Sequence, residues 1–190
     1  MIPNREDALK ILLQYNESEA LIQHAKQVEA AMMHFAEFFN EDDIEKWGVV
    51  GLCHDLDYEK YPDEHCKKTR EILMQQEWPE EYIRAICSHG YPECCDEEPV
   101  TQMEKTLYTI DELTGIINAA CLLRPSRSIL DLELKSLNKK FKDKKFAAGC
   151  NREIILNGIN LMDLEKNVVF EETIKALQKR AEECGLKGNL

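Results

Sequence analysis

The sequence is poor in helix-breaking residues and contains no long apolar run. Its 190 residues include only 8 Gly and 6 Pro, and no stretch approaches the ~18 apolar residues that a membrane-spanning helix needs. The amino terminus, MIPNREDALK, has neither the basic start nor the apolar core of a signal peptide. We therefore expect a cytoplasmic protein that does not use a membrane as a partner.

Basic residues are also scarce relative to acidic ones. The chain has 24 Lys and Arg against 36 Asp and Glu, which gives a formal net charge of −12. Because affinity for nucleic acids comes largely from basic groups that neutralise phosphates, long nucleic acids are not expected partners. With 44% hydrophobic and 32% charged residues, the composition is typical of a folded protein, and the length suits one domain over 1–190.

The eight cysteines include no C-x-x-C pair. In a chain without an export signal, we expect reduced thiols that behave as small core residues. One alternative is a zinc knuckle built from Cys87, His89, Cys94 and Cys95. The missing C-x-x-C spacing makes buried thiols the better interpretation.

The spacing of apolar residues predicts an all-α protein, a helical bundle with a C-terminal helical extension. A short segment ends near Asn16, and Pro62, Pro79 and Gly90 mark further helix starts or stops. Longer helices are predicted from Ser18 to about residue 39, from an Asn40–Asp43 capping box to about residue 54, and over 101–123, 151–161 and 164–184. We expect a basic loop over 124–150 and C-terminal helices over 151–190 that pack on the rest of the domain.

Metal-ligating residue types fall on the apolar faces of these helices. His24 and Asp111 are three or four residues from apolar neighbours on their helices, and His54-Asp55 ends another predicted helix. A single inward histidine is more often a core residue bonded to a carbonyl group. A buried lone carboxylate, however, costs several kcal/mol unless it is paired or bound to a metal. The four residues together therefore predict a metal site.

The order His24, His54-Asp55, Asp111 resembles the H…HD…D signature of the HD-domain superfamily of metal-dependent phosphohydrolases, in an HDIG-like form. The contexts LCHDLDYEKYP and YTIDELTG are similar to the second and last motifs of that family. The resemblance covers about residues 18–123. It implies that these four residues hold one divalent metal ion.

Family members with two further histidines hold a second ion, and the corresponding residues are His65 and His89. The resemblance therefore implies one or two divalent ions, with Fe, Mn, Ni, Co, Zn and Mg all open. A surface position is the alternative for His65, because its surroundings are polar. Tyr58 departs from the single-metal nucleotidases, which carry a glutamate at that position.

The resemblance also implies a mechanism in which metal-activated water attacks phosphorus in a small phosphorylated metabolite or nucleotide. Asp55 and Asp111 are then catalytic, and Lys60 is a candidate donor to the phosphate. The segment 124–145 has eight Lys and Arg against three acidic residues, so it carries +5 while the other 168 residues carry −17. Within it, Arg124, Lys139 and Lys140 are the predicted substrate-binding residues.

Two other functions remain open. A di-iron oxygenase on the same scaffold fits the histidine-rich pattern, and a non-catalytic module that binds a metal or ligand fits the departure at Tyr58. The oligomeric state and the choice between phosphomonoester and phosphodiester substrates are also open.

Overall fold

The computed structural model describes residues 2–190 and contains no strand over them. The helices are α1 (Arg5–Tyr15), α2 (Glu19–Phe38), α3 (Ile44–Leu52), α4 (Lys67–Gln75), α5 (Glu80–Cys87), α6 (Gln102–Leu122), α7 (Leu134–Lys142), α8 (Arg152–Leu161) and α9 (Lys166–Lys179). Single 3₁₀ turns, Pro62–Glu64 and Ser88–Gly90, lie between α3 and α4 and directly after α5. The predicted all-α class is confirmed.

Local capping explains several helix boundaries. Thr101 and Glu104 form a reciprocal capping box at the start of α6, and the Asn151 side chain accepts two backbone N–H groups at the start of α8. The predicted Asn40–Asp43 box is wrong. Asp43 itself is the N-cap of α3, and Asn40 takes a left-handed φ of 57° just after α2.

Two other boundary predictions differ from the structure. Ser18 occupies the N-cap position of α2, but its side chain makes no capping bond. The carboxylate of Glu59 instead accepts the backbone N–H groups of Glu17 and Ser18 at 2.8 and 3.0 Å. At the other end of the chain, α9 ends at Lys179 rather than near residue 184, and turns lead from there to Gly185.

The segment 124–150, predicted as a basic loop, contains the helix α7. Its lysines are interleaved with Leu137 and Phe141, which are buried. The ring of Phe141 packs edge-on against Phe170 of α9, with centroids 5.0 Å apart. The apolar face of α7 therefore anchors the segment to the body of the protein.

Helices α2 and α6 form the centre of the bundle, with α3 packed on α2 and α8 packed on α6. At Gly51 of α3, a Cβ atom would lie 2.9 Å from Cγ of Met32 and 3.0 Å from the carbonyl oxygen of Val28. The missing side chain thus lets α3 approach α2 closely. This approach brings the turn after α3 beside His24 of α2.

The cysteines are all free thiols. Five of them are buried, as predicted, and Cys94, Cys95 and Cys150 are partly exposed. Over residues 2–190, none of the helices combines the length and apolar character that crossing a membrane requires.

Candidate metal centre

The six predicted metal ligands lie together in one centre. His24 and Asp111 are contributed by the central helices α2 and α6. The other four lie in the turns that follow α3, precede α4 and follow α5: His54, Asp55, His65 and His89. Helical periodicity therefore positions two of the ligands, and short irregular segments position the rest.

The first group consists of His24, His54, Asp55 and Asp111, with ligand atoms within 4.8 Å of one another. Asp111 Oδ1 lies 2.9 Å from His24 Nε2 and 3.3 Å from His54 Nε2. Asp55 Oδ2 lies 3.3 Å from His54 Nε2 and 3.8 Å from His24 Nε2. We call these four residues site A.

The second group uses the other oxygen of Asp55. Its Oδ1 atom lies 3.4 Å from His65 Nε2 and 3.5 Å from His89 Nε2. The two imidazole nitrogens are themselves 3.1 Å apart. We call Asp55, His65 and His89 site B, so the carboxylate of Asp55 is shared by the two sites.

Hydrogen bonds on the far side of the rings set the tautomer of three histidines. Nδ1 of His54 lies 2.9 Å from the carbonyl oxygen of Gly51, and Nδ1 of His89 lies 2.6 Å from that of Ile86. Because a carbonyl oxygen only accepts, each Nδ1 donates its proton. In the neutral rings, both Nε2 lone pairs then point into the centre, as metal ligation requires.

The third ring, that of His65, is oriented by a carboxylate that the sequence analysis did not single out as a site residue. Nδ1 of His65 donates to Oδ1 of the buried Asp57 at 2.7 Å. The other oxygen of Asp57 accepts the backbone N–H of Thr69 at 2.8 Å. A carboxylate behind a ligating histidine is a common supporting arrangement in metal sites. The HDLD sequence, with Asp57 two residues after Asp55, is the only sequence signal for this role.

Electrostatics at site A favour a bound cation. Burial lowers the pKa of His54, but the carboxylates of Asp55 and Asp111 outweigh this effect and raise the pKa well above its ordinary value. Burial likewise raises the pKa of Asp111, but the neighbouring His54 and His24 hold it far below its usual range. The carboxylates of Asp55 and Asp111 therefore favour a positive charge beside them.

The centre opens into a cavity of about 370 Å³. Tyr58 lines it, and its ring is nearly perpendicular to that of His65, with centroids 5.3 Å apart. Glu93 and Glu112 are the acidic side chains of the wall, and burial followed by the charge of Asp111 raises the pKa of Glu112 to about 7. Within the described part of the chain, no Lys or Arg lines this cavity.

The predicted phosphate-binding residues do not line the cavity. Lys60 donates to the carbonyl oxygen of Gln14 at 2.6 Å, and Arg124 pairs with Asp131 at 2.7 Å. The ammonium group of Lys140 lies over the ring of Phe146, 4.6 Å from its centroid. Lys139 is also outside the lining. The structure thus does not bring these four residues to the metal centre.

Another lysine of the basic segment lines a groove that adjoins the cavity. A groove next to the cavity is lined by Lys144 and Arg152, and it shares Glu93 and Glu112 with the cavity. The Arg152 guanidinium donates to several carbonyl oxygens of residues 141–150, including Phe141 at 2.8 Å. Arg152 therefore organises the loop that carries Lys144.

The residues of the centre fit divalent transition metals. Imidazole nitrogens and carboxylate oxygens are the ligands expected for Zn, Fe, Mn, Co or Ni. Their free lone pairs converge, and their tautomers are set by partners outside the centre. Comparison of the chain with protein-family models, curated proteins and solved structures gave no match. The conclusions about this centre therefore depend on its own geometry.

Proposed function

We propose that the chain is a metal-dependent phosphohydrolase of the HD superfamily that acts on a small phosphorylated metabolite or nucleotide. The position of Asp55 carries this proposal. Its two oxygens face separate sets of imidazole nitrogens at 3.3–3.8 Å and 3.4–3.5 Å. One carboxylate can therefore bridge two cations, an arrangement suited to hydrolysis of phosphate esters.

Bound divalent cations would lower the pKa of a water molecule and offset the charge on the phosphate oxygens. The chain's contribution is to hold the ligands in place. Backbone carbonyls fix the rings of His54 and His89, and Asp57 fixes that of His65. Lys144 in the adjoining groove supplies a positive charge for the rest of an anionic substrate. The 370 Å³ cavity suits a compact substrate rather than a polymer.

The test is phosphate release by metal-free protein that has been reloaded separately with Mn²⁺, Fe²⁺, Co²⁺ or Ni²⁺. Phosphomonoesters and phosphodiesters are screened with each metal. Turnover with at least one metal is expected. We expect Asp55→Asn to lose more than about 100-fold in activity, because losing a supporting residue alone costs about 10–100-fold.

The control variant is His34→Ala. His34 is the one of the five histidines that lies outside both sites, and it pairs with Glu172 at 2.7 Å. Its replacement should leave metal content and turnover unchanged. No turnover with any metal, from protein that binds metal ions, would contradict the hydrolase function.

One observation favours a second candidate, a di-iron oxygenase. The cavity wall carries Glu93 and Glu112, and no basic side chain lines it within residues 2–190. An acidic wall repels negative charge, so it suits a substrate whose parts away from the metal ions are uncharged. If iron-loaded protein consumes oxygen but releases no phosphate from the phosphate esters, this candidate is favoured over the hydrolase.

A further inference from the structure

Cys66 lies beside site B in an unusual backbone conformation. It follows His65 directly, immediately precedes α4 and is 2% exposed. Its φ of 66° is in the left-handed region, which residues with a Cβ atom rarely adopt. Strained backbone conformations are concentrated at functional sites, which suggests that the position of the Cys66 thiol serves a function.

The sulfur is within reach of the site B histidines. The Sγ atom of Cys66, one ring nitrogen of His65 and one of His89 lie within 4.8 Å of one another. Ligands bound to one ion at about 2.0–2.3 Å lie up to about 4.5 Å apart. These three donors can therefore contact a single ion after a small adjustment.

Two neighbours, Gly90 and Cys87, accommodate the side chain and the backbone of Cys66. Gly90 follows His89, and a Cβ atom there would lie 2.6 Å from Sγ of Cys66. The absence of a side chain at Gly90 thus leaves room for the sulfur beside the 3₁₀ turn that carries His89. The thiol of Cys87 donates to the carbonyl oxygen of Cys66 at 3.4 Å, which ties the backbone of Cys66 to α5.

We propose that the thiolate of Cys66 completes site B, together with Asp55, His65 and His89. This inference rests on the metal centre of the proposed function. On binding, the S–H bond of Cys66 breaks, its proton leaves to solvent and a sulfur–metal bond forms, with no change in oxidation state. Site B then has a sulfur ligand and site A does not. A soft thiolate makes site B selective for Zn²⁺, Co²⁺ or Fe²⁺ over Mg²⁺.

The test is the near-ultraviolet absorption of metal-free protein loaded anaerobically with two equivalents of Co²⁺. A thiolate bound to Co²⁺ gives a strong sulfur-to-cobalt charge-transfer band, whereas nitrogen and oxygen ligands do not. We expect the band in the wild-type protein. We expect Cys66→Ser to lose it while still binding Co²⁺.

Cys66→Gly is a second variant, because glycine readily adopts the left-handed backbone at this position. It keeps the test valid if the serine variant folds poorly. Cys94→Ser is the matched control, since Cys94 lies near Gly90 but is not among the three grouped donors. This control should retain the band.

Different failures of this test have different meanings. A wild-type protein that binds no Co²⁺ would overturn the metal centre and the proposed function with it. Bound Co²⁺ without a charge-transfer band would overturn only the role of Cys66. A band that survives in both Cys66 variants, or disappears in Cys94→Ser, would also overturn it.

Discussion

The Nε2 atoms of His24 and His54 lie 3.2 Å apart. Nδ1 of His54 donates to a backbone carbonyl, so its Nε2 carries a free lone pair when the ring is neutral. The oxygens of Asp55 and Asp111 lie beside it, each at 3.3 Å. A cation between these atoms relieves the repulsion among them, and protons compete with metal ions for that position.

Because protons and metal ions compete for this position, we expect a bound metal ion to stabilise the fold more as the pH rises. The pKa of His54 is raised, so its protonation stabilises the metal-free protein at acidic pH. That contribution is lost as pH rises through the raised pKa, above the ordinary value of about 6.5. We therefore expect the increase in Tm caused by Mn²⁺ to be larger at alkaline than at mildly acidic pH. Thermal unfolding with and without Mn²⁺ across this range measures the increment, and a constant or falling increment would contradict the site.

Asp57→Asn should weaken binding of one ion and spare the other. Asp57 accepts from both His65 and the backbone N–H of Thr69. Because an asparagine side chain has one acceptor oxygen, it serves only one of these donors. We expect affinity at site B to fall about 10–100-fold, as measured by calorimetric titration with Mn²⁺.

Asp63→Asn is the control for that titration, because Asp63 is an exposed carboxylate on the 3₁₀ turn before His65. This variant should bind two ions as the wild-type protein does. An affinity at site B that is the same in Asp57→Asn as in the wild-type protein would show that Asp57 does not support His65.

Gly158→Ala should destabilise the fold through the contact between α8 and α6. A Cβ atom at Gly158 would lie 2.0 Å from Oγ1 and 3.1 Å from Cα of Thr109. Overpacking of this kind costs about 1–3 kcal/mol. Gly149→Ala is the matched control, because a Cβ atom there has no neighbour within 4 Å. Urea denaturation gives both free energies of unfolding, and equal values would contradict the close approach of α8 to α6.

Lys144→Ala should raise KM for a phosphorylated substrate with little change in kcat. Lys144 lines the groove beside the cavity, whereas the Lys60 ammonium is bonded to the carbonyl of Gln14. Losing one hydrogen bond to a charged group costs about 1.5–3 kcal/mol, so we expect KM to rise about tenfold or more. Lys60→Ala should leave KM unchanged. A raised KM in Lys60→Ala with an unchanged KM in Lys144→Ala would instead support the sequence-based prediction that Lys60 binds the phosphate.

The helices were largely predictable because their signals are local. Apolar periodicity placed α6 and α8 to within about one residue, and the structure shows that Thr101 and Asn151 cap their starts. Helix α7 was missed because lysines dominate the composition of 124–150. In the structure, packing of Phe141 against Phe170 holds this lysine-rich helix on the protein. The Asn40–Asp43 box failed because Asn40 belongs to the turn after α2, whereas Asp43 alone caps α3 by accepting the backbone N–H of Lys46.

The sequence by itself determined that helices would form and that His24, His54, Asp55 and Asp111 belong together. Residue type, spacing and periodicity are properties of the chain alone. Only the tertiary structure decided that Asp57 supports His65, that Cys66 lies beside His89, and that Lys144 rather than Lys60 lies next to the cavity. These relationships depend on how turns from different helices meet, since contacts between distant segments form only when the helices pack.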